Sequence, residues 1–337
     1  MRFDLTEDQR GIRDAVRTLC RQLYDSQAVR SQMKGGDSGE RLWSELVRAG
    51  WPGIAVAPSH RGQGLGMVEL SLVCEELGSA LAPATFLGNA AAAAFTEYGG
   101  RAEQWSRWLD GFATGEAPGA MAMLQADGSA LALDADGAAA LIVIGRDRVW
   151  LVPAPGYVLE PADGMDVTRR LSRVVDVALG EPLDGDVETV LDRVEVMVAA
   201  ELVGAAQHAL DLTVEHAKHR EQFGRPIGAY QAVSHRCADM LLDVESARSA
   251  VLSAAWTADH NTDNLPFASS VAKVAASQAA WRVAAGAIQV HGGIGFTWEH
   301  DCHLLLRRAG SSARLLRSVD WHLERVASLK GLALSER

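Results

Sequence analysis

The chain has 337 residues and a mass of 36.0 kDa, enough for about two domains or three small ones. Lys and Arg total 32 and Asp and Glu total 43, so the net charge is −11. A diffuse negative charge argues against nucleic acid as the main partner, because phosphate binding needs clustered cations. Hydrophobic residues make up 48% and charged residues 22%, which is typical of a folded chain and excludes extensive disorder.

Neither membrane insertion nor a metal framework is expected. No run of about 18 uncharged apolar residues occurs. The N-terminus carries Asp4, Glu7 and Asp8 where a secretory signal has a basic start and an apolar core, so we expect a cytoplasmic protein. The cysteines are Cys20, Cys74, Cys237 and Cys302. They are far apart and form no CxxC pair, so we predict buried or idle thiols and no metal site.

The first predicted domain, residues 1–115, has the patterns of helices. Thr6 precedes a run of polar and acidic residues, which is typical of a helix start. Apolar residues then recur every three or four positions, at Ile12, Val16, Leu19 and Leu23. This spacing places them on one face of a helix. The other helix candidates are residues 40–49, 67–77 and 90–95, with a loop rich in Pro and Gly over 51–66.

The second predicted domain, residues 116–187, has short β-like segments and many turn residues. Two apolar runs, residues 141–144 and 149–152, flank the polar residues 145–148. This is the pattern of a strand, a tight turn and a strand. A further strand is predicted over 174–179. The segment is therefore interpreted as a small β domain.

The third predicted domain, residues 188–337, is helical again. A stripe with spacings of three and four runs through Val203, Ala206, Leu210, Val214 and Ala217. Two more long helices are predicted over 232–260 and 266–290, and one or two others from Asp301 onward. Long antiparallel helices with short breaks indicate a four-helix bundle. The predicted fold class is mainly α with a small β domain.

Two segments between these helices carry residues suited to a ligand. In the first, residues 220–231, Arg220 offers a fork of donors that suits a phosphate, and Gln231 offers a neutral amide. The second, residues 292–295, reads Gly-Gly-Ile-Gly and follows a helix rather than a strand, so it is not a dinucleotide fingerprint. Taken alone, the two segments are also typical of a helix-end cation and a helix C-cap. Their glycines would equally let a backbone approach a flat or phosphorylated ligand.

Together, the two segments identify a family resemblance. Arg220-Glu-Gln-Phe-Gly224 with Gln231, followed by Gln289-Val-His-Gly-Gly-Ile-Gly295, resembles the acyl-CoA dehydrogenases in order and spacing. Residues 42–53 and 68–78 resemble the N-terminal domain of the same family. These flavin enzymes desaturate acyl-CoA thioesters. The resemblance covers most of the chain and implies an N-terminal helical domain, a middle β domain and a C-terminal four-helix bundle.

The resemblance also implies the cofactor and its binding residues. The residues implied to bind FAD are Arg220, Gln222, Gln231, Gln289, Gly292 and Gly293. The arginine and Gln222 would contact the FAD of a neighbouring subunit near its pyrophosphate, and Gln231 would lie along the adenosine half. The second segment would approach the same cofactor with side-chain and backbone amides. Because FAD sites of this family straddle subunits, the resemblance implies a dimer or a dimer of dimers.

The catalytic base of the family is missing from the expected positions. The reaction needs a carboxylate that removes the α-proton of the thioester while the β-carbon gives a hydride to the flavin. The family places this carboxylate in one of two positions, and counting without gaps puts them on Leu316 and Val194. Neither side chain accepts a proton. Glu195 and Asp320 lie close by and would serve only if the alignment shifted, so we predict no catalytic residue in this chain.

The middle domain also departs from the family. The family has a Thr-Glu-Pro stretch followed by Gly-Ser, whereas residues 123–129 contain neither threonine nor proline. Residues 136–141 lack the polar strand that lines the flavin ring in the family. The chain therefore resembles the short, base-lacking subunits of heteromeric acyl-CoA dehydrogenases, known from bacterial steroid and cholesterol side-chain degradation.

Three hypotheses follow. In the first, the chain is the non-catalytic subunit of an α2β2 acyl-CoA dehydrogenase, and a longer partner supplies the base and the flavin-ring pocket for a bulky acyl-CoA such as a steroid. In the second, the chain forms an active homo-oligomer that uses Glu195 or Asp320 as the base. In the third, it is a flavin-free structural or regulatory scaffold. Flavin absorbance of the chain alone, and then with partners, separates the three.

Overall fold

The computed structural model describes residues 4–125, 127–146, 148–175, 177 and 180–332 of the chain. Helices occupy both ends and strands the middle, which confirms the predicted fold class. None of the helices in these residues is both long and apolar enough to cross a membrane.

A group of mostly short helices comes before the sheet. They are α1 (Glu7–Leu23), α2 (Ser26–Met33), α3 (Ser38–Arg48), α4 (Met67–Ser79), α5 (Thr85–Gly99), α6 (Ala102–Gln104) and α7 (Asp110–Thr114). A π-helical segment, Trp105–Leu109, joins α6 to α7. The predicted loop over 51–66 contains two short 3-10 turns, Trp51–Gly53 and Pro58–His60.

Helix α1 begins where the sequence predicts it. The side chain of Thr6 accepts a hydrogen bond from the backbone N–H of Gln9 at 3.2 Å. The side chain of Gln9 in turn accepts one from the backbone N–H of Thr6 at 2.9 Å. This reciprocal capping box satisfies two donors that the first helical turn would otherwise leave unpaired.

The strands form one mixed sheet. They are β1 (Gly119–Leu124), β2 (Ala130–Leu133), β3 (Ala140–Ile144), β4 (Val149–Pro153), β5 (Val158–Ala162), β6 (Leu171–Val175) and β7 (Glu181–Leu183). Their spatial order is β5-β6-β2-β1-β3-β4-β7, and only β1 and β3 pair in parallel among these strands.

Two predicted β segments can be compared with this sheet. Strands β3 and β4 are the predicted strand, turn and strand, with Ile144 opposite Val149 at the turn. The strand predicted over 174–179 corresponds to β6, which lies slightly earlier in the chain. Residues 176, 178 and 179 of that prediction lie outside the described residues.

The C-terminal part consists of long helices. They are α8 (Val187–His219), α9 (Gln231–His260), α10 (Leu265–His291), α11 (Cys302–Ser312) and α12 (Val319–Leu329). A small hairpin of β8 (Glu221–Gln222) and β9 (Arg225–Pro226) joins α8 to α9. Helices α8, α9 and α10 pack against one another, and α11 and α12 lie against α10.

The three regions share a continuous core. Helix α4 lies along α8, and α5 lies on β1. The predicted boundary at 115/116 falls between α7 and β1, and the boundary at 187/188 falls just after the first residue of α8. The division into three domains, 1–115, 116–187 and 188–337, stays a prediction.

Two glycines allow α4 and α8 to cross closely. A Cβ added to Gly204 of α8 would overlap the backbone carbonyl of Glu75 in α4, and one added to Gly78 would overlap the backbone of Glu201. Only glycine lets the two backbones approach this far. The crossing fixes Glu201 at the junction of the helices with the sheet.

The beginning of α9 is largely unsupported by the rest of the chain. Met240 is the one buried residue between Gln231 and Leu242, and Leu242 is 67% exposed. Further along the same helix, residues such as Val244, Val251 and Ala254 enter the core. The first 12 of the 30 residues of α9 therefore add little to the packed core.

A buried ion cluster joins the sheet to the bundle. Arg308 of α11 is fully buried and donates to Asp166 at 2.6 Å, to Glu201 at 3.1 Å and to the hydroxyl of Thr168 at 2.6 Å. Arg169 pairs with the other oxygen of Glu201. Two cations thus balance two carboxylates.

The same arginine also ties in the N-terminal helices. It donates to the backbone carbonyls of Leu81 and Ala82, in the link between α4 and α5, at 3.1–3.2 Å. Burial favours the neutral form of Asp166, but Arg308 and Arg169 outweigh it and hold the pKa of that carboxyl below its ordinary value. All three regions therefore meet at one guanidinium group.

Replacing Arg308 with methionine tests the importance of this cluster. The substitution leaves two buried carboxylates with a single cation, and breaking a buried ion pair in this way costs about 3–5 kcal/mol. We expect the free energy of unfolding to fall by that amount in urea titrations followed by circular dichroism. The matched control is Arg314→Met, which removes an exposed arginine of the same region and should change stability by less than about 0.5 kcal/mol. Equal effects of the two variants would contradict the assignment.

Candidate functional site

The two segments singled out by the sequence lie at the same end of the bundle. The rings of His216, near the end of α8, and His291, the last residue of α10, stack with centroids 4.3 Å apart. Gly286 of α10 lies against Met240 in the first half of α9. The turn after α8, the start of α9 and the turn after α10 are therefore neighbours. The structure brings the predicted site residues to one surface.

The arginine turn, residues 220–231, is a tight hairpin. Its backbone is closed by a hydrogen bond from the N–H of Ile227 to the carbonyl of Arg220 at 2.8 Å, and the hydroxyl of Tyr230 donates to the carbonyl of Gln222 at 3.1 Å. The side chains of Arg220, Gln222 and Gln231 are exposed. Within the described residues, Arg220 makes no ion pair, so its guanidinium is free to bind an anion.

The glycine turn, residues 292–296, directly follows α10. Gly292 has a φ of 64° and donates its N–H to the carbonyl of Ile288, which ends the helix as the sequence predicts. In the part of the chain described, no atom lies within 4 Å of a Cβ added to Gly292 or Gly293. Gln289 is exposed beside them. This backbone is therefore open to a ligand from outside the chain.

The interface between the sheet and the bundle is tightly filled around Arg308. The ion cluster around Arg308 fills it, and Arg169 adds a hydrogen bond to Ser312 at 3.0 Å. The cavity beside the cluster, lined by Arg169, Glu201 and Phe86, holds about 10 Å³, against roughly 300 Å³ for the smallest cofactor pockets. The space beside Arg308 is therefore too small for a flavin ring.

The two positions counted for the base carry no acid. Leu316 lies between α11 and α12 with a φ of 67°, a left-handed conformation that is rare for leucine. Val194 is fully buried in α8. Both side chains lack a proton acceptor, as the sequence indicates.

Glu195, one of the two alternative bases, is sealed inside the bundle. It is fully buried, and one oxygen lies 2.5 Å from Nζ of Lys273. The other lies 3.2 Å from Nε2 of His322 and accepts from the backbone N–H of Arg317 at 3.2 Å. Both oxygens are occupied by permanent partners. The geometry therefore argues against Glu195 as a base.

Asp320, the other alternative, is exposed in the first turn of α12. It lines a surface cavity of about 420 Å³ together with Trp281, Arg314 and Ser318. A substrate could reach this carboxylate, so exposure alone does not exclude it as a base.

Comparison with known proteins then places the chain. Residues 6–116 match the acyl-CoA dehydrogenase N-terminal domain, and residues 186–315 match the acyl-CoA dehydrogenase C-terminal domain. The chain belongs to the acyl-CoA dehydrogenase family. It is 36% identical to acyl-CoA dehydrogenase IpdE2 of Mycobacterium tuberculosis (strain ATCC 25618 / H37Rv) over 329 residues, which cover 96% of this chain and 97% of that relative.

Solved structures of acyl-CoA dehydrogenases have the same fold. A variant of the Tcur3481-Tcur3483 steroid ACAD superposes with a TM-score of 0.86 at 27% identity, over 96% of this chain and 98% of that chain. The ChsE4-ChsE5 complex from Mycobacterium tuberculosis superposes with a TM-score of 0.85 at 23% identity, over 99% of this chain and 100% of the matched chain. The second likeness is evidence of the fold alone.

The exposed residues of this acyl-CoA dehydrogenase chain fit one half of FAD better than the other. A free guanidinium and three carboxamides are donors that suit a pyrophosphate and an adenosine, and the glycine turn leaves room for such a ligand beside them. The closed junction at Arg308 does not suit an isoalloxazine ring. The donor set therefore fits the nucleotide half of a cofactor whose ring lies outside this junction.

Several buried charged residues were not identified from the sequence. Arg308, Glu201, Asp166 and Lys273 look like ordinary surface charges in the sequence, and only the fold brings them together. Three of the four cysteines are buried, as expected, and Cys237 is partly exposed. The grouping of His291 with His300 and Cys302 was also missed. Its signal is the cluster of histidines around the glycine turn.

The sealed position of Glu195 predicts a pH-dependent contribution to stability. Burial alone would raise the pKa of Glu195, but Lys273 and His322 outweigh burial and lower it. A lowered pKa in the folded state means that the ionised group stabilises the fold above its unfolded pKa of about 4.3, and that this contribution is lost as the pH falls below it.

We therefore expect Glu195→Gln to reduce the free energy of unfolding by about 3–5 kcal/mol at neutral pH, because the buried ammonium of Lys273 is left without a counter-ion. The difference in the free energy of unfolding between the variant and the wild type should become smaller as the pH falls from about 5 to about 3. Urea titrations at several pH values measure it. Glu188→Gln, which removes an exposed acid of the same helix, is the control and should cost less than about 1 kcal/mol. A difference that stays constant with pH would rule out this role.

Proposed function

We propose that this chain is the non-catalytic subunit of an FAD-dependent, α2β2 acyl-CoA dehydrogenase that introduces an α,β double bond into an acyl-CoA. The observation that carries the proposal is the lack of a suitable carboxylate at the positions counted for the catalytic base. Leu316 and Val194 occupy these positions, and Glu195 forms a buried ion pair with Lys273. A family member without its own carboxylate needs a partner that provides one.

The chain would contribute the nucleotide half of the cofactor site. Arg220 would pair with the pyrophosphate, and Gln222 and Gln231 would bind near it and along the adenosine. Gln289 would hold the same ligand with its side-chain amide, and Gly292 and Gly293 would let the backbone at the end of α10 approach it. When bound, FAD supplies the acceptor for the hydride that leaves the β-carbon. The α-proton would go to a carboxylate of the partner subunit.

An exposed apolar surface supports a partner at this end of the bundle. Phe223 in the arginine turn is 93% exposed, Phe296 after the glycine turn is 73% exposed, and Trp298 is 58% exposed. Leu242, in the unsupported beginning of α9, adds to the same end. Exposed apolar patches of this kind mark interaction sites. We place the catalytic subunit against this surface.

The proposed substrate class is a bulky acyl-CoA such as a steroid. The support is the 27% identity to a protein described as a steroid ACAD, over nearly the whole of both chains. That structure is named for two gene products, which also supports a subunit of a different sequence as the partner.

Two other functions remain in competition. The exposed position of Asp320 beside a cavity favours an active homo-oligomer, and the closed junction at Arg308 favours a flavin-free scaffold. The three functions differ in whether flavin binds to this chain alone, only to the complex with a partner, or not at all. The flavin content of the purified chain and of the complex therefore separates them.

Expressed alone, the chain should purify with well under one FAD per protomer, because the flavin ring has no slot beside Arg308. Co-expression with the longer partner should give a stoichiometric yellow complex. The measurement is the flavin absorbance relative to protein, after gel filtration. Tight stoichiometric flavin in the lone chain would contradict the divided site, and absence of flavin from every complex would favour the scaffold.

Arg220→Ala should weaken FAD binding by the complex. A charge-assisted phosphate contact contributes about 1.5–3 kcal/mol, which corresponds to roughly a 10- to 150-fold higher Kd. Flavin released on dilution gives the Kd. The matched control is Lys218→Ala, which removes an exposed cation two residues before Arg220. We expect it to change the Kd for FAD little. An unchanged Kd for Arg220→Ala would mean that this residue is only a helix-end cation.

Asp320→Asn should leave turnover of the complex within about threefold, which is under about 0.7 kcal/mol of barrier. A true general base contributes roughly 10²–10⁴-fold, so the two outcomes are well separated in steady-state kinetics. Glu324→Gln, an exposed acid on the same helix, is the control. A loss of a hundredfold or more from Asp320→Asn alone, with the complex intact by gel filtration, would make this chain the catalytic one.

A further inference from the structure

Arg225 lies on the same face of the arginine turn as Arg220 and Gln222. In the hairpin of β8 and β9, Gln222 is directly opposite Arg225. Residues directly opposite in antiparallel strands point their side chains to the same face, and so do alternate residues of one strand. The backbone of Arg220 is extended, so its side chain shares this face. The sequence analysis did not assign Arg225 to the site.

The two residues that connect the strands fix this arrangement. Phe223 and Gly224 have φ angles of 52° and 77°, so the hairpin has a two-residue turn with two left-handed residues. A left-handed phenylalanine is a genuine outlier. Its ring is 93% exposed, so packing within the described chain does little to offset the strain. Backbone strain of this kind is concentrated at ligand-binding sites.

Tyr230 holds the side chain of Arg225 in place. The guanidinium carbon of Arg225 lies 4.1 Å from the centroid of the Tyr230 ring, which is within cation–π range. The tyrosine hydroxyl donates to the carbonyl of Gln222 at 3.1 Å and so ties the ring to the opposite strand. The ring of Phe223 meets it edge-on, with centroids 6.5 Å apart. A guanidinium that stacks by its face keeps the N–H groups at its edge available for an anion.

The same face of the hairpin carries two cations without an acid to balance them. Both arginines are exposed, and among the described residues neither makes an ion pair. Glu221 is on the opposite face, since it alternates with Gln222 along the strand. Diagonal neighbours in paired strands are roughly 7–8 Å apart. Two cations at that distance repel each other unless an anion lies between them, and a pyrophosphate has a negative charge for each.

We propose that Arg225 is a second cation of the pyrophosphate site and that Tyr230 is the residue that positions it. This inference rests on the proposed function, because it takes the nucleotide half of FAD to lie against the arginine turn. Arg220 and Arg225 would donate to the two phosphate groups from the two strands of the hairpin. The tyrosine ring would hold the second guanidinium in its bound orientation, which reduces the side-chain entropy lost on binding.

FAD binding by the complex with the longer subunit tests the role of Arg225. Arg225→Ala should raise the Kd for FAD roughly 10- to 150-fold, the range for a lost charge-assisted phosphate contact. Added NaCl should weaken FAD binding less in this variant than in the wild type, because one ion pair that salt screens is gone. The matched control is Arg236→Ala, which removes another exposed arginine at the start of α9. It should change neither the Kd nor its salt dependence.

A double-mutant cycle tests the positioning role of Tyr230. Tyr230→Leu should raise the Kd for FAD about fivefold or more in the wild-type background, but less than about twofold when residue 225 is already alanine, because its effect passes through the arginine. Tyr230→Phe keeps the ring and should lie closer to the wild type. A purely structural role of Tyr230 in the hairpin would give the same factor in both backgrounds and would overturn its assignment.

The outcomes also distinguish this inference from the proposed function. If Arg220→Ala raises the Kd for FAD and Arg225→Ala does not, the assignment of Arg225 is wrong and the proposed FAD site stands. If neither variant changes the Kd, the nucleotide does not lie against this turn and both proposals fail. If Arg225→Ala separates the subunits on gel filtration but leaves the Kd of the remaining complex unchanged, the anion is a carboxylate of the partner, which also overturns the inference.

Discussion

The guanidinium of Arg308 is the constraint on which the arrangement of the molecule depends. It is fully buried and reaches the sheet through Asp166 and Thr168, the bundle through Glu201, and the N-terminal helices through the carbonyls of Leu81 and Ala82. A buried charge tolerates little displacement, because each lost partner exposes it to the full desolvation penalty. The sheet is therefore held in one orientation on the helices.

This constraint also bears on the divided flavin site that we propose. The ions that lock the sheet onto the bundle occupy the junction and leave a cavity of only about 10 Å³ beside them. At the far end of the bundle, the arginine turn and the glycine turn present their donors outward. Closed packing on one side and open donors on the other are what a subunit requires if it completes a site that is shared with a partner.

Much of the fold could be predicted from the sequence because its signals are local. The capping residue Thr6, the apolar stripe of α8 and the turn between β3 and β4 each depend on neighbours only a few positions away. The sequence predicts β6 a few residues too late in the chain, because the ends of this strand depend on its pairing with β2 and β5. The arginine and glycine turns were found through a family resemblance rather than through their chemistry.

The interior of the site could not be predicted in this way. Arg308 and Asp166 are 142 residues apart, and Lys273 and Glu195 are 78 apart. Nothing in the sequence distinguishes these charges from solvated ones, since partners so far apart in the chain meet only once the helices and the sheet have packed together. Glu195 was considered as a base because of its position in the chain, whereas its packing makes it a structural anion.

The unsupported beginning of α9 affects how much of this chain a cell can accumulate. Residues 231–242 present Leu241 and Leu242 to water and bury little more than Met240, so these turns gain little from the rest of the chain. A partner that covers them would stabilise the folded chain by mass action, in proportion to the logarithm of its free concentration. The abundance of this chain would then follow that of its partner, because the unpaired form exposes a segment that proteases and chaperones recognise.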